Sequence, residues 1–213
     1  MPKFIALSGM MLCFVFIFAV SRDTKDVLIV TNCGAESIAF LKVYGVIPAA
    51  ACFMVLYSYL VKMLSPQALF YSIVIPFVGF YSLFAFVIYP KREVLHLLNL
   101  SVPDGGLSYV INLVRHWTFS LYYIVSEVWG SVGIPLLFWS CANDIFKIDQ
   151  AKRLYPAISL VGNLGPIISG IAMTVVSRVV AKRSSSEDVA FQTSLQIMSV
   201  FCTFAGAVIC ALF

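Results

Sequence analysis

Charge is what this sequence has least of. Only 11% of its 213 residues are Asp, Glu, Lys or Arg. Soluble domains use roughly 25%, so the chain has too few charges to coat a soluble surface. The net charge is only +4 and the basic residues lie between apolar segments, not in one stripe, which argues against a nucleic-acid-binding face. Cysteine occurs six times but never as CxxC, and never beside a His or Asp cluster at ligand spacing. Neither a zinc site nor a disulfide framework is expected; most of these thiols lie in apolar stretches, where they act as small hydrophobes. No small-residue cleavage site follows the first apolar run, Phe4 to Val20, so it reads as a spanning helix and not as a signal peptide. The glycine-rich GNLGPIISG at 162–170 lacks the Gly-Lys-Ser/Thr ending and preceding strand of a phosphate loop, and reads instead as a kinked or tightly packed membrane helix.

What is present is apolar sequence, 61% by composition, with a mean hydropathy of +0.97. Its segments approach or exceed the ~20 residues that a span requires. They predict an all-α polytopic membrane bundle with six helices near 4–31, 41–62, 67–89, 112–142, 153–181 and 190–213. Turns are expected at Cys33-Gly34 and at Pro103-Asp104-Gly105-Gly106. The interval Lys91 to Arg115, the stretch ANDIFKIDQAKRLYP and the run Ser177 to Asp188 read as polar connections, with Val94 to Leu98 lying in the interface. Lys3, Lys62, Lys147, Lys152 and Arg153 fall on one side, and Lys91, Arg92, Arg115, Arg178, Lys182 and Arg183 on the other. That bias is too small to orient the chain.

The segment Trp117 to Cys141 carries the sharpest signal. At ~1.5 Å per residue it reaches about 38 Å, enough to cross a bilayer, and Glu127 lies roughly 15 Å in. A carboxylate at that depth needs water, a cation or a substrate. Two readings fit: a functional group, or a structural pair with a Lys or Arg of another helix. Ser126, Gly130, Ser131 and Gly133 give the same helix a small face suited to close packing. If the first helix continues to Thr31, Arg22, Lys25, Asp26 and Ile29 share a face at i, i+3, i+4 and i+7. The charges there either neutralise one another within the membrane or form an interfacial cap. Lys42 stands at a helix start, where the helix dipole disfavours a cation. Either snorkelling or a phosphate ligand accounts for it, and local sequence does not decide between them.

Several stretches together resemble the nucleotide transporters of obligate intracellular bacteria and plastids, the ATP/ADP translocases unrelated to the mitochondrial carrier. They are SRDTKDVLIVT, GAESIAFLKVYGVIPAA, ALFYSIVIPF with VIYP after it, HWTFSLYYIVSEVWGSVGIPLLFWSCAND, and AKRLYP followed by the glycine-rich helix, covering most of Ser21 to Gly170. The resemblance implies a fold like that of major-facilitator transporters, twelve helices in two six-helix halves, of which residues 1–213 supply the amino-terminal one. It implies ATP and ADP, or other nucleotides, as substrates, no cofactor, no nucleic acid, and a carboxy-terminal half as partner in the bilayer of a bacterial inner membrane or plastid inner envelope. By the same resemblance, Lys42 of the FLK motif and Glu127 of the SEVWGS motif are the substrate-site positions. Lys25 and Arg22 of RDTKD and Asn143 of the AND ending join them as candidates. Nucleotides bring three or four negative charges into a low-dielectric region, which calls for cationic partners. Glu127 then holds such a lysine when the site is empty, or couples transport to a proton.

Two other classes stay open. An intramembrane enzyme would draw on Glu127, His116 and Cys141, but His116 and Cys141 sit at opposite ends of the segment with no triad or metal spacing. A non-transporting scaffold or degenerate half-transporter is the third reading.

Overall fold

A computed structural model describes residues 2–97, 107–184 and 186–213. Among these, six helices are long and apolar enough to cross a membrane, and the rest is short helices and turns. The spans are α1 (Pro2–Cys33), α2 (Ser37–Met63), α3 (Pro66–Ile88), α6 (Trp117–Ile145), α7 (Ile148–Ala181, broken only at Asn163) and α8 (Glu187–Leu212). Two short helices, α4 (Arg92–Leu95) and α5 (Leu107–Arg115), lie between α3 and α6. Tight connections make successive spans antiparallel. One end of the bundle, called here the Cys33 end, therefore gathers the close of α1, α3 and α7 and the start of α2, α6 and α8.

Local chemistry sets the boundaries. Gly34, at φ 88°, makes the α1–α2 turn in the left-handed region that glycine enters without steric cost. Ser65 and Ser186 cap α3 and α8, accepting from Ala68 N at 3.3 Å and Val189 N at 3.4 Å. Three spans contain a π-helical turn: Lys42–Val46, Phe84–Ile88 and Gly133–Phe138. Each lies beside or around a proline (Pro48, Pro90 and Pro135), whose missing N–H and bulky ring disturb the preceding i−4 carbonyl.

α1 is the centre of the bundle and packs against α6, α7 and α8. Over its most apolar stretch it is 56% buried, whereas α2 is 6% buried, so α2 lies outermost. Phe14 is fully buried; it stacks on Trp129 at 5.5 Å and meets Phe138 edge-on at 6.3 Å. Glycines let the helices close on this axis. A Cβ added at Gly130 would lie 2.7 Å from the Phe18 ring, at Gly162 2.7 Å from Met11, and at Gly165 3.0 Å from the backbone N of Phe16. On α6 the expected close packing holds at Ser126, Gly130 and Gly133 while Ser131 is exposed, and in GNLGPIISG it holds at Gly162 and Gly165 while Gly170 faces open space.

Some expected boundaries moved. The fourth span begins at Trp117, not near 112, because the chain bends at His116 (φ −104°, ψ 45°) and α5 forms a separate helix. The connection after the fourth span shrinks to Phe146 and Lys147, both extended, since ANDI ends α6 and IDQAKR starts α7. α7 ends at Ala181, as expected for the fifth span, so the polar connection read from Ser177 to Asp188 loses its first five residues to the helix. Of the segment placed in the interface, Val94 and Leu95 close a helical turn that begins at Arg92 and His96 is buried, while Leu98 lies outside the described residues. The turn at 103–106 also lies outside them.

Candidate functional site

Within the third of the bundle nearest the Cys33 end, α1 and α6 bring opposite charges together. Lys25 Nζ donates to Asp26 Oδ1 at 2.7 Å, forms an ion pair with Glu127 Oε1 at 3.0 Å, and lies 4.1 Å from the centroid of the Tyr123 ring. Counting from the Cys33 end at ~1.5 Å per residue, Lys25 is about 12 Å and Glu127 about 15 Å into the bundle. Burial is uneven across the cluster. The Lys25 side chain is 6% exposed, while those of Glu127 and Asp26 are 29% and 47% exposed. The ammonium is thus seated within the protein, and its two carboxylates stand on the open side. One cation against two anions leaves the cluster formally at −1.

The other candidates are elsewhere. Arg22, one turn from Lys25, points outward, pairs with Asp23 at 3.4 Å and stands 5.9 Å from the Phe18 ring. Arg22 and Lys25 therefore do not act on a single face: packing buries the second and leaves the first exposed. Lys42 is exposed at the start of the π turn in α2 and makes no ion pair among the described residues. The Gly45 backbone packs against Ile124, and α2 and α6 run the same way, which puts Lys42 about 9 Å nearer the Cys33 end than Glu127. Asn143 accepts from the Tyr155 hydroxyl at 2.7 Å, about 24 Å along α6 from Glu127 and at the opposite end. The structure unites Lys25 with Glu127 and leaves Arg22, Lys42 and Asn143 apart from that pair.

Two groups in the cluster were not among the candidates. Asp26 had been noted only as part of a charged face. Tyr123 stands at i−4 from Glu127, which puts both on one side of α6.

No catalytic grouping forms from Glu127, His116 and Cys141. They are strung along one helix over about 38 Å. His116 Nδ1 meets the Asn112 carbonyl at 3.1 Å, and Cys141 is buried. A second polar cluster closes the Cys33 end. His96 Nε2 meets Thr118 Oγ1 at 2.6 Å, Leu97 N donates to the Arg115 carbonyl at 3.0 Å, and the Trp117 indole donates to the Leu95 carbonyl at 2.8 Å. Burial, reinforced by neighbouring His116 and Arg92, lowers the His96 pKa to about 4 and keeps it neutral. Arg92 also pairs with Asp188 at 3.2 Å and lies 4.4 Å from the Tyr89 ring, tying α4 to α8.

Comparison with known proteins gives a consistent picture. The chain is 40% identical over 209 residues to ADP,ATP carrier protein 1 of Chlamydia muridarum, an overlap covering 94% of this chain and 39% of that one. It is 41% identical over 179 residues to ADP,ATP carrier protein 3 of Rickettsia typhi, covering 82% of this chain and 36% of the other. It is 37% identical over 220 residues to the chloroplastic ADP,ATP carrier protein 1 of Arabidopsis thaliana, covering 100% and 35%. The chain thus spans under half the length of these curated relatives. No solved structure matches it. A profile described as TLC ATP/ADP transporter matches residues 1–213, from end to end, and the chain belongs to that family.

Proposed function

We propose that this chain is the amino-terminal six-helix half of a nucleotide exchanger in a bacterial inner membrane, or in its plastid counterpart, and carries ATP and ADP across the bilayer together with a carboxy-terminal half. The observation that supports this best is the cluster on α1 and α6: a buried ammonium about 12 Å in from the Cys33 end, held by two carboxylates that face the open side. In the empty state Glu127 and Asp26 neutralise Lys25 and keep the cluster from standing as an isolated buried cation. An arriving phosphate group carries more charge than either carboxylate and competes for the same donor. The formal charge of −1 means that the carboxylates must turn away or take up a proton before a polyanion can settle. That requirement lets the site distinguish loaded from empty. Lys42, about 9 Å nearer the Cys33 end than Glu127, serves as an outer phosphate contact on the way to Lys25. Arg22 and Asn143 have weaker parts in this scheme, since both are already paired and stand apart from Lys25.

The apolar residues exposed on α2 and α7, such as Val55, Tyr59, Leu160 and Ile171, supply faces for lipid and for the second half. The test is uptake of labelled nucleotide by a transporter assembled from this half and a carboxy-terminal half. Lys25→Ala and Glu127→Gln should each abolish most uptake at unchanged membrane abundance, and Lys42→Ala should weaken it. A scaffold carries no such dependence. Normal uptake by both cluster variants overturns the site assignment.

A further inference from the structure

Behind the ion cluster the interior of the half-bundle is polar. Tyr81 of α3 and Ser126 of α6 are 3% and 1% exposed, and their hydroxyls lie within reach of each other yet complete no well-aligned hydrogen bond. Ser21 and Ser126 lie beside the Tyr81 hydroxyl, and Thr24 and Ser126 beside that of Tyr122. Five hydroxyls from three helices therefore converge next to Lys25 and Glu127. A buried hydroxyl without a partner costs about 1–3 kcal/mol, so the cluster calls for an occupant. A cation is opposed by the Lys25 ammonium, one residue from Thr24, and an anion by the Glu127 and Asp26 carboxylates. Water both donates and accepts, as unpartnered hydroxyls require.

The same region has an approach from outside. At the Cys33 end a cleft of about 600 Å³ lies among α1, α6 and α8, edged by Asn32, Arg92 and Asp188. A deeper cleft of about 280 Å³ lies among α1, α7 and α8 and presents Ser177, Ser194 and Thr24. Val27, Glu187 and Phe191 line both, so the two clefts are neighbours along α1 and α8. Thr24 thus faces the deep cleft while belonging to the hydroxyl cluster.

We propose that water enters the half-bundle from the Cys33 end through this cleft, passes Ser194 and Thr24, and fills the hydroxyl cluster behind the Lys25–Glu127 pair. The route runs inside one half, between α1, α7 and α8, and gives the pair an aqueous connection to one side of the membrane. It holds whatever the ion cluster carries and does not rest on nucleotide transport.

Thiol labelling of this chain in lipid nanodiscs tests it. In a background with all six native cysteines replaced, Ser194→Cys, Thr24→Cys and Val55→Cys are exposed to a small hydrophilic methanethiosulfonate, which needs a hydrated thiolate. Val55, 73% exposed on α2, reports the lipid-facing rate. Ser194→Cys and Thr24→Cys should both react at least about tenfold faster than Val55→Cys. A Ser194→Cys rate equal to that of Val55→Cys means that lipid fills the cleft and overturns the proposal. Reaction at Ser194→Cys without reaction at Thr24→Cys overturns the connection to the hydroxyls. Tyr81→Phe is an independent check. Removing a hydroxyl that holds water should lower the unfolding midpoint, whereas a raised midpoint shows an empty, unpartnered group and refutes the occupant.

Discussion

The Lys25–Glu127 contact allows a quantitative test that needs no substrate. The perturbation is a double-mutant cycle of Lys25→Met, Glu127→Gln and the pair. At 3.0 Å and an effective dielectric constant of ~20, the gross attraction is about 5–6 kcal/mol. Desolvation of the ammonium offsets much of this. The Glu127 side chain is also 29% exposed, and Asp26 remains as a second partner at 2.7 Å, so removing Glu127 does not leave Lys25 alone. Glu127→Gln should therefore cost about 1–2 kcal/mol, below the 3–5 kcal/mol typical when a buried pair loses one member. Lys25→Met should cost somewhat more, about 2–3 kcal/mol, because two carboxylates then share one site without a cation. In the double variant the Lys25–Glu127 contact is counted once, and only the Lys25–Asp26 contact is left for the second change to break. The cycle should return a coupling of about 1–2 kcal/mol.

The assay is equilibrium unfolding in mixed micelles, with helical circular dichroism and tryptophan fluorescence as separate probes. Additivity to within about 0.3 kcal/mol means that the two side chains do not interact, and the argument for a seated lysine fails. A Glu127→Gln variant more stable than the parent gives a different answer: the carboxylate is then a strained functional group and not a counter-ion.

Three further outcomes follow. His96 is held near pKa about 4 against an ordinary 6.5, so the unfolded chain binds the proton more readily; stability is complete above about pH 6.5 and falls toward pH 4, by up to about 1.4 kcal/mol per pH unit. His96→Gln should flatten that slope in acid unfolding curves, and an unchanged slope assigns it to other groups. Gly206→Ala should destabilise by about 1–3 kcal/mol, since its Cβ would meet Val78 Cγ2 at 2.7 Å and a β-branched side chain has little freedom to move. Gly170→Ala, with nothing within 4 Å, should leave the thermal midpoint equal or higher, and a large loss there contradicts the packing described. Arg92→Ala should change stability by under about 1 kcal/mol, because its partner Asp188 has a side chain 78% exposed; a larger loss in the same unfolding assay gives α4 a greater role.

The six spans were legible because membrane helices follow from one-dimensional facts: apolar length, and backbone hydrogen bonds that must close within the segment. Boundaries that depend on a single backbone bend, as at His116, leave no such trace, and the bend itself lies between residues that both suit a helix. Glu127 was legible for a related reason, since one carboxylate in 25 apolar residues is an anomaly that composition alone exposes. Its partner was narrowed only to Lys25 or Lys42. Each lysine sits near the Cys33 end of a helix, and each helix runs beside α6.

The difference between them is rotational. α1 is turned by its packing, with Phe14 on Trp129 and Gly130 closing on Phe18, until Lys25 points at α6. α2 touches the bundle through few side chains and leaves Lys42 outside. Helix rotation is a sum over many contacts of other residues, and the charged residue's own neighbourhood in sequence does not contain it. The hydroxyl cluster was hidden in the same way. Ser21, Thr24, Tyr81, Tyr122 and Ser126 are unremarkable one at a time, and become a polar interior only when α1, α3 and α6 bring them to one point. A site made of one costly residue can be read from a chain, whereas a site made of several cheap ones requires the packing.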